Sequence, residues 1–148
     1  MSDNEIYKVG FTQGTFDLFH RGHLNLLEQA KKRCKYLIVG VNSDQLVEQY
    51  KGNKPIIPDQ DRAAIVAALK VVDQVVITET LDKLDALDKY HFNAIFIGDD
   101  WATSPRWRKT GQELAERGVP LVYLHYTQGV STTILRTKLV AQDAKGNT

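Results

Sequence analysis

Cysteine, net charge and long apolar runs are what this sequence has least of. A single cysteine, Cys34, among 148 residues excludes an internal disulfide and fits a reducing, cytoplasmic setting. It closes a helical pattern, where a thiol reads as a small packing group rather than a nucleophile. A formal net charge of +1 gives no bulk attraction to nucleic acid or to an anionic membrane, so any anion must be held by a local site. No apolar stretch approaches the ~20 residues of a membrane span, which argues against membrane insertion. The polar, acidic start "MSDNEIYK" is unlike a secretory signal. Linkers, repeats and low-complexity segments are missing too. With 43% apolar and 25% charged residues, the expectation is one domain over 1–148, frayed from about 141 to 148.

What is present is an alternation. Five short β-branched or aromatic runs occur at 7–12, 36–42, 74–78, 94–98 and 121–126. Most are apolar without interruption, the pattern of strands buried on both faces. Helical periodicity fills 21–33, 59–70, 81–90 and 106–118, and a last helix is predicted from Ser131 with Ile134, Leu135 and Leu139 inward. The alternation predicts an α/β, Rossmann-like, doubly wound fold: a mainly parallel five-stranded sheet with helices on both faces. Ligands of such sheets bind beyond the carboxyl ends of the strands. "GTFDLFHRGH" (14–23), "GDDW" (98–101) and "TQGVSTT" (127–133) follow three of the strands and are expected on that rim.

Each of these loops carries chemistry. In the first, Gly14 permits a tight approach of backbone to ligand, and the following helix presents unpaired N–H groups to an anion. His20 and His23, three apart at the helix start, are expected to donate to phosphate oxygens. A zinc site is disfavoured because "H-x-x-H" lacks a third ligand. In the last loop, Gly129 precedes three hydroxyls, Ser131, Thr132 and Thr133, more than one helix cap requires. Between them, "YKGNKPIIPDQDR" (50–62) offers Lys51 and Lys54, then an aspartate-capped helix with Arg62 in its first turn. A cation there opposes the helix dipole and asks for an anionic partner, a carboxylate or a substrate phosphate.

These residues together resemble the cytidylyltransferase branch of the H-x-G-H nucleotidyltransferases, over about residues 7–140. "GDDW" and "KVVDQVV" (70–76) are most similar to glycerol-3-phosphate cytidylyltransferases. "IVGVNSD" (38–44) and the lysine loop are similar to the nucleotidyltransferase domain of ADP-heptose synthesis. The first family usually reads R-T-E-G-I-S-T-T where this chain has Tyr126 and Gln128 in "YTQGVSTT".

The resemblance implies transfer of CMP from CTP to glycerol 3-phosphate, giving CDP-glycerol and pyrophosphate for wall or capsule polymers. The alternative is adenylyl or cytidylyl transfer to a sugar 1-phosphate such as heptose 1-phosphate. A nucleotide-sensing module and an adenylyltransferase acting on a nicotinamide or pantetheine phosphate are the competing classes. The implied catalytic residues are His20, His23 and the clamp lysines Lys51 and Lys54. Gly14, Thr15 and Phe16 would hold the α- and β-phosphates. Gly129, Ser131, Thr132 and Thr133 would take the γ-phosphate end, and Asp99 the nucleoside, with Asp100 and Trp101 beside it. Asp17, Arg62 and Lys70 are the expected acceptor residues. Mg²⁺ would arrive with the triphosphate, with no protein metal site, and a homodimer is the expected assembly.

Overall fold

In the computed structural model, residues 5–125 and 132–146 are described. Five strands, β1 (Tyr7–Gly14), β2 (Cys34–Asn42), β3 (Gln74–Thr78), β4 (Ala94–Gly98) and β5 (Leu121–Leu124), form one sheet of order β3-β2-β1-β4-β5. Every pairing is parallel. The chain leaves β1 toward β2 and β3 and then returns to place β4 on the other side. The strand order therefore reverses at β1, the doubly wound arrangement expected from the alternation.

Both faces of the sheet are covered because its strands are apolar on both sides. Leu37, Val39 and Val41 of β2 pack with Leu27 and Ala30 of α1 (Arg21–Lys32) and Val66 of α3 (Asp59–Ala67). Ile38 points the other way, with Phe11 and Ile95, against Ala86 and Leu87 of α4 (Lys83–Tyr90) and Leu114 of α5 (Pro105–Glu116). Phe11 stacks on Phe92 with ring centroids 4.8 Å apart. Cys34 is buried, its thiol 3.4 Å from the Ala30 carbonyl, and burial pushes its pKa up, consistent with packing rather than reactivity. No helix among the described residues is long and apolar enough to cross a membrane.

Several expectations are revised. A helix absent from the sequence reading, α2 (Asp44–Lys51), is capped by the Ser43 hydroxyl and buries Leu46 and Val47. The cap of α3 is Pro58 rather than an aspartate, and Asp59 accepts from the Asp44 amide at 2.9 Å. The last helix, α6 (Thr132–Gly146), leaves Ile134 and Leu139 exposed rather than turned inward. It is helical through most of the stretch expected to fray.

Gly10 sits where β1 meets Phe96 and Cys34, and a Cβ there would lie 2.9 Å from the Cys34 sulfur and closer still to the Phe96 ring. Both neighbours are buried core groups, so a Cβ there would force them to shift. Gly10→Ala is expected to cost ~1–3 kcal/mol of unfolding free energy, read as a lowered denaturant midpoint at unchanged slope.

Candidate active site

The H-x-G-H loop is built by an unusual helix start. His20 is the N-cap of α1, and its Nδ1 accepts from the Gly22 amide at 3.0 Å. Three residues on, the His23 Nδ1 accepts from the His20 amide at 3.3 Å. This is a reciprocal capping box with two imidazoles in place of a hydroxyl and a carboxylate. It also sets the tautomer. With both Nδ1 atoms accepting, each neutral ring carries its proton on Nε2. The rings stack with centroids 3.9 Å apart, and Phe16 and Phe19 pack against His23.

Burial lowers both histidine pKa values, that of His23 to about 3, with the neighbouring His20 adding to the effect. The pair is neutral at physiological pH and donates without carrying charge. His20 Nε2 is buried without a hydrogen-bond partner. This donor lies beside a helix N-terminus, and of the two histidines His23, not His20, lines the cavity at the carboxyl edge of the sheet.

A cavity of about 550 Å³ opens at the carboxyl edge of the sheet, within the range of ligand pockets (~300–1,000 Å³). Gly14, Thr15, Phe16, Asp17 and His23 line it from the first loop, Thr132 and Thr133 from α6, and Lys51 from the end of α2. The structure thus brings together the two ends of the chain that the motifs singled out. Thr132 Oγ1 donates to the Asp17 carbonyl at 2.8 Å, tying α6 to the H-x-G-H loop. Gly129 and Ser131, like Tyr126 and Gln128, lie outside the described residues.

The turn at Gly14 differs from expectation. Positive φ falls on Phe16 (55°) and Leu18 (49°), and Gly14 instead leaves room for the Phe16 ring, 3.1 Å from where its Cβ would be. Lys54 is exposed and outside the lining, so of the two loop lysines Lys51 is the one at the pocket. Gly98, Asp100 and Trp101 line the cavity, whereas Asp99 is turned toward His125, 3.9 Å away. Burial raises the Asp100 pKa, with Asp99 adding to it.

The three expected acceptor residues do other work. Arg62 is 1% exposed. Its Nε donates to the Ile57 carbonyl (2.8 Å), one terminal nitrogen to the carbonyls of Thr15 (2.6 Å) and Asn42 (2.8 Å), and the other to Asp44 (2.8 Å). The guanidinium is a structural brace: the anionic partner its position called for is the Asp44 carboxylate, and three backbone carbonyls take its other hydrogens. Asp17 is 2% exposed, and its carboxylate accepts from the amides of Leu18, Ile56 and Ile57 and from Arg136 (3.0 Å). Burial works against its charge, but the Ile56 and Ile57 amides and the Arg136 guanidinium hold its pKa below the usual range. Lys70 is exposed and precedes β3, at the amino edge of the sheet, away from the pocket.

What the sequence reading missed is on the opposite side of the cavity. Lys83, in the first turn of α4, is 5% exposed, and its Nζ donates to Gln13 Oε1 (2.9 Å) and the Leu81 carbonyl (3.0 Å). It lies 5.4 Å from the Trp107 ring centroid, and Arg106 lies 6.0 Å from the same ring. Burial lowers the Lys83 pKa to about 8; Arg106 adds to this and Asp82 opposes it. Arg106 sits in the first turn of α5, which holds no acidic residue, so the helix dipole and two cations converge there. The sequence signal was weak, a lysine directly after an N-cap aspartate in a segment that reads as ordinary amphipathic helix.

The strand order of the parallel sheet reverses at β1, and the histidine-capped start of α1 lies at that switch point. The cytidylyltransferase-like family model matches residues 11–138, and the chain belongs to that family. It is 38% identical over 130 residues to the bifunctional protein HldE of Hyphomonas neptunium, covering 86% of this chain and 26% of that protein. It is 36% identical over 137 residues to HldE of Magnetococcus marinus, covering 91% and 28%. The chain thus spans about a quarter of the length of these relatives. A lipopolysaccharide core biosynthesis protein from Thermoplasma volcanium shares the fold at TM-score 0.68 and 23% identity, over 82% of this chain and 97% of that one.

Arg62→Ala would leave the carbonyls of Thr15, Asn42 and Ile57 without their buried donor. The expected loss is ~3 kcal/mol or more of unfolding free energy, measured by chemical denaturation. An acceptor-binding arginine would instead leave stability unchanged and raise the acceptor KM.

Proposed function

We propose that this chain transfers a nucleotidyl group from a nucleoside triphosphate to a small phosphorylated sugar or polyol, releasing pyrophosphate. The observation that carries the reading is the pair of neutral histidines whose Nδ1 atoms are committed to the cap of α1, leaving Nε2–H groups for phosphate. A phosphomonoester oxygen of the acceptor attacks the α-phosphorus, and the bond from that phosphorus to the bridging oxygen breaks. The attacking phosphate is largely dianionic at neutral pH, so no general base is needed. Catalysis then consists of aligning two anions and offsetting charge as it grows on the phosphates.

In this reading His20 and His23 donate to the α- and β-phosphate oxygens, and the backbone at Thr15 and Phe16 shapes the cradle. Lys51 and the hydroxyls of Thr132 and Thr133 hold the distal phosphates. Lys83 and Arg106, across the cavity, take the acceptor phosphate in place of Arg62 and Lys70. Among the described residues no group of three or more His, Cys, Asp or Glu is arranged to hold a metal. Mg²⁺ would come bound to the triphosphate and offset its charge.

For the acceptor, a sugar 1-phosphate is favoured. The HldE relatives and the sequence likeness to the nucleotidyltransferase domain of ADP-heptose synthesis both point that way. The second reading, CTP with glycerol 3-phosphate, keeps the support of "GDDW", whose Asp100 and Trp101 line the cavity. A matrix of CTP and ATP against heptose 1-phosphate, other sugar 1-phosphates and glycerol 3-phosphate, scored by pyrophosphate release, separates them. Turnover with glycerol 3-phosphate alone would reverse the preference, and no pyrophosphate with any pair would reject nucleotidyl transfer to these acceptors.

With the active pair in hand, His20→Ala or His23→Ala is expected to lower kcat ~10²-fold or more, as for loss of an oxyanion donor, with far-ultraviolet circular dichroism unchanged. Lys83→Met is expected to raise the acceptor KM ~10-fold or more while the triphosphate KM stays within about twofold. In the wild type, acceptor kcat/KM should fall as pH rises through about 8, because deprotonation removes the charge that meets the phosphate.

A further inference from the structure

Gln13 belongs to none of the motifs that mark the active site, yet it joins the two halves of the cavity. It lies near the end of β1, in register with Gly40 of β2. A Cβ at Gly40 would crowd the Thr78 methyl at 2.8 Å and the Phe11 ring at 3.0 Å, while the Gln13 Cγ would stand at an ordinary contact distance of 3.4 Å. Its Nε2 donates to Asn42 Oδ1 (2.8 Å) and to the Thr80 carbonyl (3.0 Å), which uses both amide hydrogens. Asn42 Oδ1 is held as an acceptor by Thr78 Oγ1 (3.0 Å), while its Nδ2 faces Thr15 Oγ1 and Tyr50 OH. A flipped Gln13 would set its oxygen against the Thr80 carbonyl and its N–H groups against an ammonium. The network therefore permits one orientation, with Oε1 toward Lys83.

We infer that Gln13 is a positioning residue for acceptor recognition, holding the Lys83 ammonium at the cavity wall with one N–H left for an anionic ligand. The inference rests on the reading of Lys83 as the acceptor-phosphate cation. Two of the three Lys83 hydrogens go to Gln13 and Leu81, which leaves one N–H on a residue that lines the cavity. A carboxamide orients the ammonium, less strongly than a carboxylate would, but brings no negative charge to quench it. The charged groups acting on Lys83 are Arg106 from α5, which is repulsive, and Asp82 from its own helix cap, which is attractive. The Trp107 ring covers it from α5. An incoming phosphomonoester then meets a cation already desolvated and aimed, so little of the binding free energy goes to ordering the side chain.

Two substitutions of Gln13 test this, each with two readouts. Gln13→Met keeps length and removes the acceptor oxygen. It should raise the KM of whichever sugar or polyol phosphate turns over ~10-fold and leave the triphosphate KM within about twofold. Gln13→Glu keeps the shape and adds a charge. The Lys83 13Cε titration, assigned by its loss in Lys83→Met, should move up from about 8 by about one pH unit or more, while the acceptor KM still rises because the carboxylate competes for the ammonium.

A proportional rise of both KM values in Gln13→Met, or an unmoved Lys83 midpoint in Gln13→Glu, would overturn the inference. Should Gln13→Met not fold, Gln13→Glu decides alone. An unchanged acceptor KM in Lys83→Met would reject the acceptor-site reading itself, and the titration arm would still report whether Gln13 holds Lys83.

Discussion

Four pieces of chain converge on one buried guanidinium. Arg62 rises from α3 and donates to the carbonyls of Thr15 in the first loop, Asn42 at the end of β2 and Ile57 before its own helix, and to Asp44 at the start of α2. Parallel strands end with carbonyls pointing at the rim where ligands bind, and loops entering that rim carry more. A burial without donors would cost each of them ~1–3 kcal/mol. Arg62 supplies several donors from one planar group, which no other side chain does. Asp17 is its counterpart, a buried carboxylate collecting amides from Leu18, Ile56 and Ile57 and the guanidinium of Arg136. The two opposite charges are each satisfied mainly by backbone. Together they hold the lysine-bearing segment against the H-x-G-H loop, so the cavity is shaped without a ligand in it.

That rigidity is what would let neutral histidines serve as phosphate donors in the proposed reaction. An imidazolium would attract a triphosphate more strongly, but burial and mutual stacking keep His20 and His23 uncharged. Neutral donors aimed by a helix cap cannot turn away, because the same nitrogen lone pairs that cap α1 define the Nε2 direction. The positive charge is supplied from further out by Lys51, Arg136, Lys83 and Arg106, all of which line the cavity. Charge and geometry are thus provided by different residues, and the geometric part is the one fixed inside the fold.

The α/β class, the strand positions and the loops that meet at the rim were legible in the sequence because continuous apolar runs and helical periods are one-dimensional signals. The short helix α2 was not, since eight residues with only Leu46 and Val47 buried give too little period to see. Arg62 reads as a cation needing an anion, but its partners, the Asp44 carboxylate and three carbonyls, lie 5 to 47 residues away in sequence, which no local pattern encodes. Lys70 lay close to a plausible motif, and only the direction of β3 puts it on the wrong edge. Lys83, Gln13 and the Arg106–Trp107 pair carry no motif at all, because their meaning comes from the crossover that swings α4 over β1.

This division follows the two faces of the sheet. The H-x-G-H loop leads into α1, which packs with α3 on one face, while Lys83 and Trp107 come from α4 and α5 on the other. On the proposed reading, the nucleotide half is made from contiguous loop–helix junctions, whose glycine, histidine and hydroxyl spacing is visible along the chain. The other half is assembled from helix starts that meet only in three dimensions, and an acceptor imposes on them its own size and hydroxyl pattern. A likeness carried by the first set of residues therefore identifies the chemistry, while the identity of the acceptor has to be sought in Gln13, Lys83, Arg106 and Trp107.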